Sequence, residues 1–222
     1  MLQNLALCLS ALFSPVLLRQ PQPTHASEPP PIPMPADRAT DSYRIYSMLL
    51  PVGELGAQGW PKDLYLLQDT TTTMAPSDQP CSAPSSGGNL HPHSALHAPP
   101  DRRQDLRELL DDFDRHCHER IRLTSDGFHL SVPLLLLDEA QQKEFESTRF
   151  SAKPDPKLAA KYKGAPGLSS FSQVYFNAHH TVAMVFAYGW CGEECGQGFW
   201  SVYELQTGQW NPLRWNSVMV MS

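Results

Sequence analysis

Apolar positions recur along this chain with two periods, and the switch between them marks its elements. From Asp101 to Glu119, Leu106, Leu109, Leu110, Phe113 and Cys117 fall at three- and four-residue spacing while Arg, Glu and Asp fill the other positions. That pattern predicts an amphipathic helix with Cys117 facing inward. Ser42 to Leu50 predicts a shorter helix behind Thr40 and Asp41 as capping residues. Leu64 to Asp69 predicts a strand, and Thr70 to Thr73 suits a strand or sheet edge because threonine branches at Cβ. Val132 to Leu137 reads as a buried strand or a helix start, with Asp138-Glu139 opening a helix through Phe145. From Phe171 onward four strand-like runs follow closely: Phe171 to Asn177, Thr181 to Trp190, Phe199 to Leu205, and Gln209 to Met221, where Pro212 confines the start of the last to an edge. The expected class is α+β, with helices packed on a curved antiparallel sheet that ends in a four-stranded meander. Trp210 and Trp215 are an odd number of positions apart, so they should face opposite sides of that sheet.

Proline and glycine divide the chain. Leu5 to Leu18 is almost continuously apolar, too short for a span of about 20 residues, and Thr24-His25-Ala26 places small residues where a signal peptidase requires them. Residues 1–26 therefore read as a signal peptide, although Met1 to Asn4 lacks the usual cationic residue; an uncleaved anchor is the other reading. Seven prolines between Pro21 and Ala36 make residues 27–40 a Pro-rich tether. A single domain is expected over 41–222, with a mobile loop at about 74–100 where Pro, Ser, Gly and His dominate.

The net charge is −6, and loss of residues 1–26 removes only Arg19 among charged groups, leaving the chain more acidic still. That balance argues against nucleic acid or an anionic membrane surface as partner, and leaves the membrane reachable through an uncleaved N-terminal segment if at all. Cys8 falls within the leader, so the mature chain holds Cys81, Cys117, Cys191 and Cys195. Four cysteines in an exported chain imply two disulfides and allow three pairings. The segment Cys191 to Gly198, C-G-E-E-C-G-Q-G, lies between two aromatic-rich strands and reads as a disulfide-closed hairpin tip, Cys191 with Cys195; Cys81 with Cys117 follows by elimination.

Ser172, Val174, Phe176, Asn177, Thr181, Ala183 and Val185, then C-G-x-x-C-G-x-G, then Gly208 and Trp210, form a pattern that resembles a group of uncharacterised exported bacterial proteins with this C-terminal motif. The likeness covers about the last fifty-five residues. It implies export and no known activity, and the turn Ala178-His179-His180 departs from it. In layout, though not in residues, helices on a curved antiparallel sheet are also similar to nuclear-transport-factor-like cups.

No residue set commits the chain to catalysis, a cofactor or a metal. A Cys-x-x-x-Cys pair after a strand lacks the helix N-terminus that activates a redox thiol. His116 and His118 flank Cys117, but residues i and i+2 on a helix are about 200° apart and cannot converge on one ion. His91, His93 and His97 lie in the expected loop and His179 and His180 in a turn, positions suited to adventitious zinc or nickel. Glu193 and Glu194 read as solvated loop charge, and Trp190, Trp200, Trp210, Trp215, Tyr188 and Tyr203 as sheet packing with a possible ligand surface among them. The expected function is therefore a non-catalytic exported or envelope-associated domain that binds an unknown protein or small-molecule ligand through its sheet face. The alternative is an envelope enzyme, a hydrolase or a thiol-disulfide protein, whose site assembles only in the fold.

Overall fold

The computed structural model describes residues 29–51, 63–75, 77–83, 90–151, 153–192, 195–215 and 219–221. The expected signal peptide and the Glu193-Glu194 pair lie outside them. Its helices are α1 (Ala36–Leu49), α2 (Pro92–Ala95), α3 (Arg103–His116), α4 (Glu139–Phe150) and α5 (Pro156–Lys161). Its strands are β1 (Ile32–Pro33), β2 (Tyr65–Gln68), β3 (Ile121–Arg122), β4 (Leu134–Leu137), β5 (Leu168–Phe171), β6 (Tyr175–Phe176), β7 (Val182–Gly192), β8 (Cys195–Gln206), β9 (Gln209–Leu213) and β10 (Met219–Met221).

The class is α+β as expected, and the C-terminal strands pair antiparallel in the order β5-β7-β8-β9. Two of the expected runs are each divided. Phe171 to Asn177 becomes β5 and β6, both beside β7, because six residues from Phe171 to Phe176 oppose five from Ala187 to Ala183. Ser172 marks the irregularity: its N–H donates to the Phe186 carbonyl and its hydroxyl accepts the Phe186 N–H, each at 2.9 Å. Gln209 to Met221 becomes β9 and β10, both along the outer edge of β8. The sheet is also mixed rather than wholly antiparallel, since β2 runs parallel to both β4 and β5.

Strand alternation sends successive side chains to opposite faces, and both are covered. Ala183, Val185 and Ala187 of β7 pack with Tyr43, Ile45, Tyr46 and Leu49 of α1, while Val182, Met184 and Phe186 pack with Leu109 and Phe113 of α3. Leu66, turned away from its α1-side neighbours Tyr65 and Leu67, joins Leu137, Phe145, Tyr162 and Leu168 beneath α4 and α5. The layout is thus a sheet between helices and not an open cup. The central strands need apolar residues at every position for this, which β7 supplies from Val182 to Ala187.

The tether expected over 27–40 is corrected from Ile32 onward. Ile32 and Pro33 pair in parallel with Ile121 and Arg122, and α1 begins at Ala36 instead of behind Thr40-Asp41. Pro35 precedes the helix with no side-chain cap, and the first turn is held instead by Arg38, whose guanidinium makes two bonds to Asp112 of α3. Part of the loop expected at 74–100 is likewise packed, although Ser77 to Pro80 are exposed: His91 and Leu96 are each 3% exposed, Ala95 is fully buried, and the Trp200 indole N–H donates to the Leu90 carbonyl at 2.8 Å. The helix expected to open at Asp138-Glu139 is α4, and Asp138 caps it in a reciprocal pair with Gln141.

Candidate functional site

The motif residues of the C-terminal half resolve into structural positions. Asn177 Oδ1 accepts the Thr181 and Val182 N–H groups at 2.8 and 3.0 Å, while its amide donates to Asp105 of α3 at 3.1 Å. This closes the turn between β6 and β7 and docks it on the helix, with Glu108 accepting the Ala178 N–H at 3.1 Å. His180 enters that turn at φ 52° and stacks on Phe176 at 4.8 Å. Phe176 and Val174 are core on the α1 side. A Cβ on Gly198 would stand 2.6 Å from the Phe186 ring, and Gly208 adopts φ 80° in the turn between β8 and β9. Trp210 follows, its indole N–H donating to Asp41 of α1 at 2.9 Å.

The cysteines pair as Cys81 with Cys117 and Cys191 with Cys195, with Cα separations of 5.9 and 5.1 Å. The first ties the segment before α2 to the end of α3; closing about 37 residues, it is worth roughly 4 kcal/mol in the chain-entropy model. The second closes the end of the β7-β8 hairpin, where Gly192 pairs with Cys195. The expected aromatic surface does not assemble. Trp200, Tyr188 and Trp215 belong to the α3 side, Tyr203 and Trp210 to the α1 side, and Trp190 to the α4 cluster. Trp210 and Trp215 do fall on opposite sides, as their spacing requires.

Among the described residues the most buried carboxylate is Asp112, 2% exposed. It accepts both Arg38 nitrogens at 2.8 and 2.9 Å and the Phe176 N–H at 2.9 Å, with Arg115 at 3.2 Å and His116 at 3.6 Å. Burial pushes its carboxyl up, but the Arg38 bonds and the Phe176 amide outweigh this and hold it below the usual carboxylate range. Every direction around it is filled by protein groups, so the cluster joins α1, α3 and β6 and presents no vacancy to a substrate. Tyr175 beside it is pushed far up by burial and by Asp112. The histidine partners among the described residues are carboxylates and a carbonyl: His93 with Asp114, His116 with Asp112 and Glu119, His91 with the Cys81 carbonyl. None of those bonds reaches a serine or threonine hydroxyl, so a nucleophile with its base is not assembled there.

An open site lies on the outer side of α1. Two clefts meet there and share Arg44 and His129. One, of about 360 Å³, is lined by Ala39, Thr40, Tyr43, Thr124, Asp126 and Gly127 besides the shared pair. The other, of about 530 Å³, adds Ser47, Met48, Gly208, Gln209 and Trp210 to that pair. Helix periodicity puts Thr40, Tyr43, Arg44 and Ser47 on one side of α1. The opposite wall is held in register by the Tyr43 hydroxyl, which accepts the Thr124 N–H at 3.0 Å, and by the Ser47 hydroxyl, which accepts the His129 N–H at 3.0 Å. Arg44 is half exposed, its ion pair with Asp41 is 3.6 Å long, and the same carboxylate oxygen accepts the Trp210 indole N–H. No acid is among the residues that line the larger cleft, and Asp41 stands behind it, bonded to both Arg44 and Trp210. Sequence reasoning missed this site: Arg44, His129 and Gln209 come from three distant segments with no shared motif. Comparison with protein-family models, with curated proteins and with solved structures yields no match.

Proposed function

We propose that this chain is an exported, non-catalytic binding domain whose ligand is a small anion, a carboxylate or phosphate compound, seated in the groove between α1, the 124–129 segment and the β8-β9 turn. The observation that carries this reading is the character of the larger cleft. In a chain of net charge −6, its charged or titratable lining groups are Arg44 and His129, and Arg44 is not engaged in a close ion pair. A guanidinium in that state offers a planar pair of donors to a carboxylate or phosphate. Met48 and the Trp210 ring give the apolar wall that small-ligand sites combine with a few polar groups. Two disulfides support export, since such bridges persist in oxidising compartments.

The reading moves ligand binding away from the sheet face, because helices cover both faces around β7. The test is a backbone-amide NMR titration of the oxidised protein with citrate and, separately, inorganic phosphate. Shifts should saturate and cluster at 40–48, 124–129 and 208–210, and Arg44→Ala should abolish them. Shifts that centre on the cleft lined by Arg149 and Lys163, or that persist in Arg44→Ala, would overturn it.

A further inference from the structure

The Cys81–Cys117 disulfide has a histidine nitrogen beside it that its bridging role does not use. Both cysteines are buried, 4% and 1% exposed. Cys117 caps the end of α3, so His118 lies beyond the last helical turn. The helical argument that separates His116 from His118 therefore does not keep His118 away from Cys117. A ring nitrogen of His118 and both sulfurs lie within 4.8 Å of one another.

A second observation concerns His118 itself and a ring that holds the Cys81 backbone. Among the described residues, two buried side-chain nitrogens lack a hydrogen-bond partner, and they are Nδ1 of His91 and Nδ1 of His118. His91, 3% exposed, meets the Cys81 carbonyl through Nε2 at 2.6 Å. A carbonyl only accepts, so Nε2 carries the proton and Nδ1 of the neutral ring keeps a buried, unshared lone pair. A buried ring nitrogen without a partner is costly, and for His118, which lies against both sulfurs, a metal ion is a partner that the neutral imidazole can take.

We infer that the reduced form of this centre is a site for a borderline divalent cation such as Zn²⁺, ligated by the thiolates of Cys81 and Cys117 and a ring nitrogen of His118. Thiolate and imidazole are the donor set that zinc selects. Zinc–sulfur bonds of about 2.3 Å and zinc–nitrogen bonds of about 2.0 Å put tetrahedral ligand atoms roughly 3.5 Å apart, so three atoms already within 4.8 Å need little more than opening of the bridge. A dithiol reductant supplies two electrons and two protons, the S–S bond breaks, and two thiols form while the reductant becomes a disulfide. The cation then displaces both thiol protons. The bridge and the metal are mutually exclusive, which makes the site redox-gated. This does not depend on the ligand groove.

The experiment uses the Cys191→Ser/Cys195→Ser protein, so that only one cysteine pair remains, reduced with a phosphine and titrated with Co²⁺. One equivalent should bind, giving a thiolate-to-cobalt charge-transfer band and tetrahedral visible bands, and Zn²⁺ should displace it. The unreduced protein should show neither. His118→Ala in the same background keeps both thiols and should weaken binding about tenfold or more. If reduction loosens the fold, added metal should restore the near-ultraviolet circular dichroism. Absence of the charge-transfer band, failure of metal to restore a loosened fold, or equal affinity in His118→Ala would overturn the inference.

Discussion

Helix α1 carries two arginines in opposite circumstances. Arg38 is inserted between α1 and α3, makes two bonds to a fully buried carboxylate, and lies 5.9 Å from the centre of the Phe176 ring. Arg44, six residues on, is half exposed and stands 3.6 Å from a carboxylate already engaged by Trp210. The residue types are the same, Arg with Asp, but in the first pair every acceptor position is filled and in the second the guanidinium is left with donors to offer. Saturation and burial separate a structural lock from a binding group; charge alone does not. A buried pair of this kind is costly to break because the surviving partner stays desolvated, whereas an exposed pair contributes little.

The largest effect should come from Asp112→Ala. It strands Arg38 and removes the acceptor of the Phe176 N–H, with an expected loss of about 3–5 kcal/mol, read from urea unfolding. A loss under 1 kcal/mol would erase the distinction between the two arginines. Acid should act through the same group. The folded Asp112 carboxyl lies below its ordinary value of 3.8, so the unfolded chain takes up the proton first. Its stabilisation is complete above that ordinary value and disappears as pH falls through the lower folded one. Melts between pH 7 and pH 2 should show this acid-limb loss in the native protein, with a shallower limb in Asp112→Asn. Trp210→Phe keeps most of the apolar contact and deletes the indole N–H, at an expected cost of about 1 kcal/mol; by freeing Asp41 to pair with Arg44 it should also weaken anion binding. The smallest effect on stability belongs to Arg44→Ala, within about 0.5 kcal/mol of the native protein.

Periodicity carried the main elements. The apolar stripe of α3, the opening of α4 at Asp138 and the C-terminal meander follow from spacing and side-chain type because each depends on neighbours close in sequence. The disulfides followed from hairpin geometry and counting. Contacts between distant segments were not legible. Nothing in Ile32-Pro33 signals a pairing with Ile121-Arg122, and a proline-rich composition argued against it. The first turn of α1 is tied to Asp112, 74 residues away from Arg38. The open cup failed for a related reason: Val182 to Ala187 is apolar at every position, a sign of burial on both faces that alternation-based reading passes over. The groove was invisible because His129 and Gln209 have no partner in their own segments that marks them as lining.

The account rests most heavily on Arg44, exposed and held by one long ion pair, taking a ligand while Arg38 does not, and one titration tests that directly. Amide shifts of the native protein and of Arg44→Ala should be recorded against the same citrate series, with melting temperature measured on both samples. The expected result is saturable, groove-localised shifts in the native protein, none in Arg44→Ala, and melting temperatures that agree. Equal shifts in both proteins, or a large fall in the melting temperature of Arg44→Ala, would contradict it.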